Sequence, residues 1–256
     1  MRIGIVGYGK MGRLFRECLS GEHEVRVYSQ HERMDFSSLR ELYSWAEIIV
    51  LASSLSILPH QLKELSTLSK ELGGTKVIFD IATFKADIVG LYRHFPREVK
   101  VASVHPMFGP GTASLRGRRF IVVPVPGREE DSKVVGELIK SLGGKVEFLE
   151  ARTHDRIMGF VIGVPYFLGL SYLALSIERG LGRFGGTSHA FLETYGKAVL
   201  NDSPDFVEEV LKRSRGEIEE FLQFLREGKP NPSKLRKRLS EEEIKKAYER
   251  FYRALE

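Results

Sequence analysis

The sequence predicts an α/β protein in two parts, a doubly wound and mainly parallel sheet followed by an all-helical region. Three observations carry this. Over residues 1–150, short apolar runs alternate with amphipathic stretches, as in a parallel sheet covered by helices on both faces. A glycine-rich turn joins the first apolar run to the first helical stretch. From Ala151 onward no strand pattern appears, and long helical periods follow one another.

The strand-like runs are Arg2–Val6, Glu24–Tyr28, Glu47–Ala52, Lys76–Asp80, Val99–Val104, Arg119–Pro124 and Lys145–Leu149. Between them Met11–Leu19, Pro59–Leu72 and Asp131–Leu142 have helical spacing, and Gly143-Gly144 stops the last of these before the seventh run. The first predicted domain is residues 1–150 and the second is 151–256. Helical stretches in the second are Thr153–Gly180, Thr187–Leu200, Pro204–Arg226 and Glu241–Leu255. The run from Ile157 to Leu175 has no charged residue. About 20 apolar residues can span a bilayer. Gly159, Gly163, Pro165 and Gly169 interrupt this run, however, and Tyr166, Ser171 and Tyr172 are polar at one end. The expectation is a helix at the centre of a helical domain or of a homodimer, not one in a membrane. Tyr248, Phe251 and Tyr252 share one side of the last helix and are expected to pack.

Composition narrows the function. With 256 residues, 42% hydrophobic and 29% charged, the chain has material for a core. That excludes a disordered, collagen-like or disulfide-stapled protein. The net charge of +5 suits an acidic small molecule better than nucleic acid. Basic residues are mixed with acids, even in the densest run, Lys229–Lys246, and no basic stripe interleaves with aromatics. The single cysteine, Cys18, cannot form an internal disulfide, and no basic leader precedes Ile3-Gly4-Ile5-Val6. A cytoplasmic protein is expected. Thermolabile amides are scarce (Asn201, Asn231, Gln30, Gln61 and Gln223), which points to a thermophilic source.

Gly7-Tyr8-Gly9-Lys10-Met11-Gly12 is a G-x-G-x-x-G pattern directly after a strand and at the start of a helix. That context makes it a Rossmann-type dinucleotide signal. Gly7 permits the tight turn, Gly9 lets the backbone approach a pyrophosphate, and Gly12 lets helix and strand pack closely. Free amides at the helix start meet the phosphates. The expected cofactor is NAD or NADP. At the end of the second strand an NAD site usually has an acid on the ribose 2′-hydroxyl. Here the chain reads Tyr28-Ser29-Gln30-His31-Glu32-Arg33. Ser29 does not repel a 2′-phosphate and Arg33 or His31 could neutralise one, which tilts the expectation to NADP. Against this, Glu32 could reach the ribose of NAD. Ser53, after the third strand, and Asp80, at the end of the fourth, join the cofactor candidates.

Two further segments follow predicted strands: Asp80-Ile81-Ala82-Thr83-Phe84-Lys85 and His105-Pro106-Met107-Phe108-Gly109-Pro110. Ligands of open parallel sheets bind outside the carboxyl ends of the strands, so both segments share the rim of the glycine turn. A histidine there is placed for proton transfer near neutral pH. His105 is therefore the candidate catalytic residue, with Thr83 and Lys85 beside it. Lys85 either holds the loop through Asp80 or is a solvated side chain. His94, His60, His31 and His23 lack ligand spacing, so no metal is expected.

These motifs, with His154-Asp155, occur in the order and at the spacing of the prephenate dehydrogenases, which the chain resembles over nearly its whole length. The likeness extends through Met11-Gly12-Arg13-Leu14-Phe15 and Val25-Arg26-Val27, is greatest to the dehydrogenase part of the enteric bifunctional type, and weakens after about Gly196. A chorismate mutase module or a regulatory domain would not fit into 256 residues. The resemblance implies oxidative decarboxylation of prephenate to 4-hydroxyphenylpyruvate in tyrosine biosynthesis, without a metal. It implies that His105 takes the 4-hydroxyl proton. Thr83 stands where the family has a serine bonding that hydroxyl and the histidine. Asp155 is expected to be a helix cap or dipole partner.

The chain also departs from the family. Tyr166, after Val164-Pro165, replaces a histidine, and Ala190 falls where the family has an arginine for a substrate carboxylate. Tyr166, His189, Gly109, Thr187 and Ser188 are the substrate candidates, the last two also being candidate N-caps after Gly185-Gly186. Arogenate, the amino analogue, is the alternative substrate. Other two-domain dehydrogenases, of the β-hydroxyacid or imine-reducing kind, usually rely on a lysine in the helical domain and lack the His105-Pro106 string. A dinucleotide-sensing protein without turnover is the alternative outside enzymes.

Overall fold

The computed structural model describes residues 1–228 and 231–255; Lys229, Pro230 and Glu256, and with them the start of the basic run, lie outside the described residues. The polypeptide forms two compact units, Met1–Asp155 and Arg156–Glu256.

The first unit opens with β1 (Arg2–Val6), α1 (Lys10–Leu19) and β2 (Glu24–Tyr28). Next come α2 (Leu39–Trp45), β3 (Ile48–Leu51), α3 (Leu58–Leu72) and β4 (Val77–Asp80). A 3-10 turn (Val89–His94), β5 (Lys100–Pro106), β6 (Arg119–Val123), α4 (Glu129–Ser141) and β7 (Lys145–Phe148) complete it. All seven expected strands are present, in the order β2-β1-β3-β4-β5-β6-β7. β2, β1, β3, β4 and β5 are mutually parallel; β6 runs antiparallel to β5, with β7 parallel to β6. The inner strands β1, β3, β4 and β5 are buried almost throughout, which is why they read as continuous apolar runs. One core cluster joins a single face of the sheet, through Ile3, Ile5, Ile48, Val50, Phe79, Ala102 and Val104, to Phe15, Leu19, Val135 and Ile139 of α1 and α4.

The short helix α2 lies between β2 and β3. Its Ser38 cap accepts the Glu41 amide, and Leu39, Leu42 and Tyr43 are buried. In α4 the chain stops at Gly143, whose φ of +88° suits glycine, as the Gly-Gly signal predicts.

The second unit is helical. α5 (Ala151–Met158) runs through a π-helical segment (Gly159–Gly163) into α6 (Val164–Arg179). A 3-10 turn (Leu181–Phe184), α7 (Thr187–Val199), α8 (Pro204–Arg213), α9 (Arg215–Glu227), α10 (Pro232–Arg236) and α11 (Glu241–Arg253) follow. The helix expected over Pro204–Arg226 is two helices that break at Ser214, a buried residue whose side chain lies against Gly163. The apolar helix is not wrapped on all sides as a core helix would be. From Ala151 to Arg179 it is long and apolar enough to cross a membrane, and only 28% of its most apolar window is buried. Val161, Leu168, Leu175 and Ile177 are exposed. On α11, Phe251 packs on Phe191 as expected, whereas Tyr248 is exposed.

Candidate active site

The turn between β1 and α1 is built as its glycines require. Gly7 has φ +100°, where other residues are strained, and a Cβ there would meet Ser53 Oγ at 2.8 Å. A Cβ on Gly12 would clash with the Gly7 carbonyl oxygen. Gly9 differs: nothing lies within 4 Å of where its Cβ would be. That open space at a helix N-terminus is the cradle a pyrophosphate needs, so the residues present fit a dinucleotide.

A cavity of about 350 Å³ opens over this turn. Of the expected cofactor residues, Gly7, Tyr8, Gly9, Ser29, Gln30 and Ser53 line it. Lys10, Met11, Gly12 and Arg33 are not on its wall. Met11 packs against the core instead, Gly12 serves the helix contact, and Arg33 is exposed. The wall also holds His31 and Glu32, which the sequence left as alternatives, and Arg13 and Gln61, which it missed. The Arg13 guanidinium lies over the Tyr8 ring, 4.9 Å from its centroid, and donates to Glu32 Oε1 at 3.2 Å. Ser29 Oγ accepts the His31 amide.

Along the rim, His105 is the penultimate residue of β5 and only 6% exposed. Its Nδ1 lies 3.0 Å from Nε2 of His154, a fully buried residue of α5. His154 Nδ1 in turn lies 2.8 Å from Asp155 Oδ1. Asp155 also accepts the backbone N–H groups of Lys85 and Ala86, both at 2.8 Å. A carboxylate only accepts, so a neutral His154 carries its proton on Nδ1 and offers Nε2 as an acceptor. His105 must then donate from Nδ1, which leaves its Nε2 with a free lone pair, the atom of a general base. Burial first, then the Lys85 cation, holds the His105 imidazole well below the usual histidine range. The ring is therefore neutral at pH 7.

Asp155 is thus not a cap of its own helix. Glu150 does that, accepting the Thr153 amide at 3.0 Å. Asp155 instead ties the loop after β4 to the histidine pair.

Behind the rim lies a second polar cluster, wholly dry. Asp80 is completely buried and takes four donors: Lys85 Nζ and the Ala82 amide on Oδ1, and the Tyr92 and Ser103 hydroxyls on Oδ2. It has no face left for a cofactor, which corrects that expectation. Lys85 is also completely buried, and its Nζ donates to Asp80 Oδ1 (2.8 Å) and to the Val104 carbonyl (2.6 Å). Of the two roles open for Lys85, the loop-holding one is present. It touches the residue before His105 and has no surface of its own on the rim. Desolvation lowers its pKa even beside Asp80. Thr83 is half-buried on the same loop, and among the described residues its hydroxyl makes no hydrogen bond to His105. Gly109 is exposed in the loop after β5.

The second unit holds the remaining candidates. Tyr166 donates to Asp202 Oδ2 at 2.7 Å, and burial followed by that carboxylate pushes its phenol pKa up. His189 Nε2 lies 2.9 Å from Ser176 Oγ, its ring against Tyr172. Thr187 and Ser188 start α7, but the N-cap is Gly186 and no side chain caps the helix, contrary to expectation. Among the described residues, no group of three or more His, Cys, Asp or Glu is placed to hold a metal.

The fold and the rim define a class: a Rossmann-type dinucleotide-binding unit with a helical second unit, the fold of the two-domain nicotinamide-dependent dehydrogenases. Within that class, the chain is related to the prephenate and arogenate dehydrogenases. It is 29% identical over 128 residues to a probable arogenate/prephenate dehydrogenase of Methanocaldococcus jannaschii, covering 49% of this chain and 28% of that protein. It is 24% identical over 170 residues to a probable NADP-dependent prephenate dehydrogenase of Schizosaccharomyces pombe, covering 61% and 39%. The matched part is thus less than half the length of either relative. The crystal structure of Aquifex aeolicus prephenate dehydrogenase, bound to hydroxyphenyl propionate and NAD+, superposes with a TM-score of 0.69 at 18% identity. That match covers 100% of this chain and 94% of the other. No protein-family model matches the chain.

Proposed function

We propose that this protein is a nicotinamide-dinucleotide dehydrogenase that oxidatively decarboxylates prephenate or its amino analogue arogenate. The observation that carries this is the Asp155–His154–His105 relay on the rim of the sheet that bears the glycine cradle. In this reading His105 Nε2 accepts the proton of the ring hydroxyl as that carbon becomes a carbonyl. The bound dinucleotide supplies the hydride acceptor. The bond to the ring carboxylate then breaks, carbon dioxide leaves, and its electron pair restores aromaticity. His154 and Asp155 hold the base in its productive tautomer, and the Thr83 hydroxyl is available to the substrate hydroxyl.

The relatives support a nicotinamide cofactor, since one is named for NADP and another is a complex with NAD+. We infer a preference for NADP. Ser29 stands where an acid would repel the 2′-phosphate, and Arg13 on the same wall offsets the charge of Glu32. Titration with each reduced cofactor tests this: Ser29→Asp should weaken NADPH about tenfold, one charge-assisted contact, and leave NADH binding intact. We further propose that a second copy of the chain covers the exposed Val161, Leu168 and Leu175 of the apolar helix. Light scattering should give a dimer mass, and Leu168→Glu should give a monomer.

The test of the function is an assay with prephenate and with arogenate, each with NAD and NADP, following the absorbance of the reduced dinucleotide. Turnover of either substrate is expected. Tight cofactor binding without turnover of either would favour a dinucleotide sensor instead.

A further inference from the structure

The histidine pair on the rim is built for more than orientation. To hold its tautomer, His105 needs only an acceptor for its Nδ1–H, and a backbone carbonyl or a side-chain amide would serve. The residue in that place is a second ionisable ring, His154, which has no exposed surface. The ring planes meet at 69° with centroids 5.1 Å apart, so nitrogen faces nitrogen and the rings are not stacked. Nδ1 of His105 and Nε2 of His154 are 3.0 Å apart, within the roughly 2.6–3.2 Å reach of proton transfer.

The charges around the two rings differ. A positive charge on His105 is buried beside Lys85, whose Nζ holds the carbonyl of the preceding residue, Val104. A positive charge on His154 is one hydrogen bond from a carboxylate, Asp155 Oδ1 at 2.8 Å. Away from water these attractions and repulsions are strong, so the imidazolium belongs on His154. Asp155 also accepts the backbone N–H groups of Lys85 and Ala86, so its oxygens are already engaged as acceptors and the proton stops at His154.

Resting on the dehydrogenase reading above, we infer that His154 stores the substrate proton, with His105 as the carrier that delivers it. The O–H bond of the ring hydroxyl breaks and its proton bonds to His105 Nε2, while the Nδ1 proton of His105 passes to His154 Nε2. The hydride of the same ring carbon leaves to the dinucleotide. When the bond to the ring carboxylate breaks, its electron pair enters the ring. The carbonyl π pair returns to oxygen, which takes the proton back as both histidine steps reverse. No proton is gained or lost overall, and the buried His154 keeps the stored one from water.

The test is single-turnover kinetics, read from the absorbance of the reduced dinucleotide, with prephenate and with arogenate in mixtures of light and heavy water. The proteins are the wild type and His154→Gln, whose amide keeps an acceptor for His105 Nδ1 but cannot take a proton. Two protons move together in the wild type, so its rate should fall along a bowed curve as the deuterium fraction rises. His154→Gln moves one proton and should give a straight line. Its rate should be about a hundredfold lower, the upper end of what losing an outer partner costs, with KM and dinucleotide affinity unchanged. A straight line for the wild type, or a loss under about tenfold in His154→Gln, would overturn the proton-storing role while leaving the dehydrogenase reading standing. If the wild type turns over neither substrate, the dehydrogenase reading falls, and the role of His154 with it. The wild-type curve decides alone if the variant fails to fold.

Discussion

The first unit has two polar clusters within one sheet, and they are built in opposite ways. Behind the rim, Asp80, Lys85, Tyr92 and Ser103 are sealed from water, and every oxygen of Asp80 is satisfied. Around the glycine turn, Glu32 and Arg13 are about half exposed, Gly9 faces open space, and Gln61 Oε1 has no hydrogen-bond partner among the described residues. The sealed cluster positions the groups proposed to do chemistry, since Lys85 grips the carbonyl before His105 and Asp155 grips the Lys85 amide. The open cluster leaves its valences for a ligand. Preorganisation lies where protons are to move, and incompleteness lies where a molecule is to bind.

Breaking the sealed cluster should have the largest effect on stability. Lys85→Met leaves the Asp80 carboxylate buried without its cation and should cost about 3–5 kcal/mol in urea unfolding. The double variant Lys85→Met with Asp80→Leu should recover much of that. If the single variant costs under about 1 kcal/mol, the dry pair is not the anchor described.

Next comes the relay. His105→Asn should lower turnover by about 10²–10⁴-fold, the usual contribution of a general base, with dinucleotide affinity unchanged. A parallel loss of cofactor binding would instead make His105 a binding residue. Asp155→Asn should cost turnover about ten- to a hundredfold, as the loss of an orienting partner does at other sites. It removes the acceptor-only group that fixes both tautomers.

The smallest effect is on pH dependence. The His105 pKa in the folded chain lies well below the ordinary 6.5. The unfolded chain therefore binds a proton first as pH falls, and stability held above about pH 6.5 declines below it. His105→Asn should flatten that part of the curve, read as melting temperature against pH. An unchanged slope would mean another group carries it.

The first unit was legible because its signals are local. Each inner strand is a run such as Ile48–Leu51, and the glycines of the turn are required by backbone geometry. The short α2 is marked in the sequence chiefly by its capping pattern, Ser38 and Glu41. His105 was found from its place on a rim. Its partner was hidden, since His154 and His105 stand 49 residues apart and only the fold joins them. For the same reason the partners of Asp80 and Asp155 are not legible in the sequence, because burial and cross-strand contacts cannot be read from spacing. Gln61 carried no motif at all. In the second unit the helical period gave the elements but not the break at Ser214, a buried residue whose side chain packs against Gly163.

The most direct test of the relay is heteronuclear NMR of the imidazole nitrogens of His105, followed from pH 8 downward. The account predicts a neutral ring protonated on Nδ1, with Nε2 unprotonated and titrating well below 6.5. A ring protonated on Nε2, or one that titrates at or above the ordinary histidine value, would contradict it.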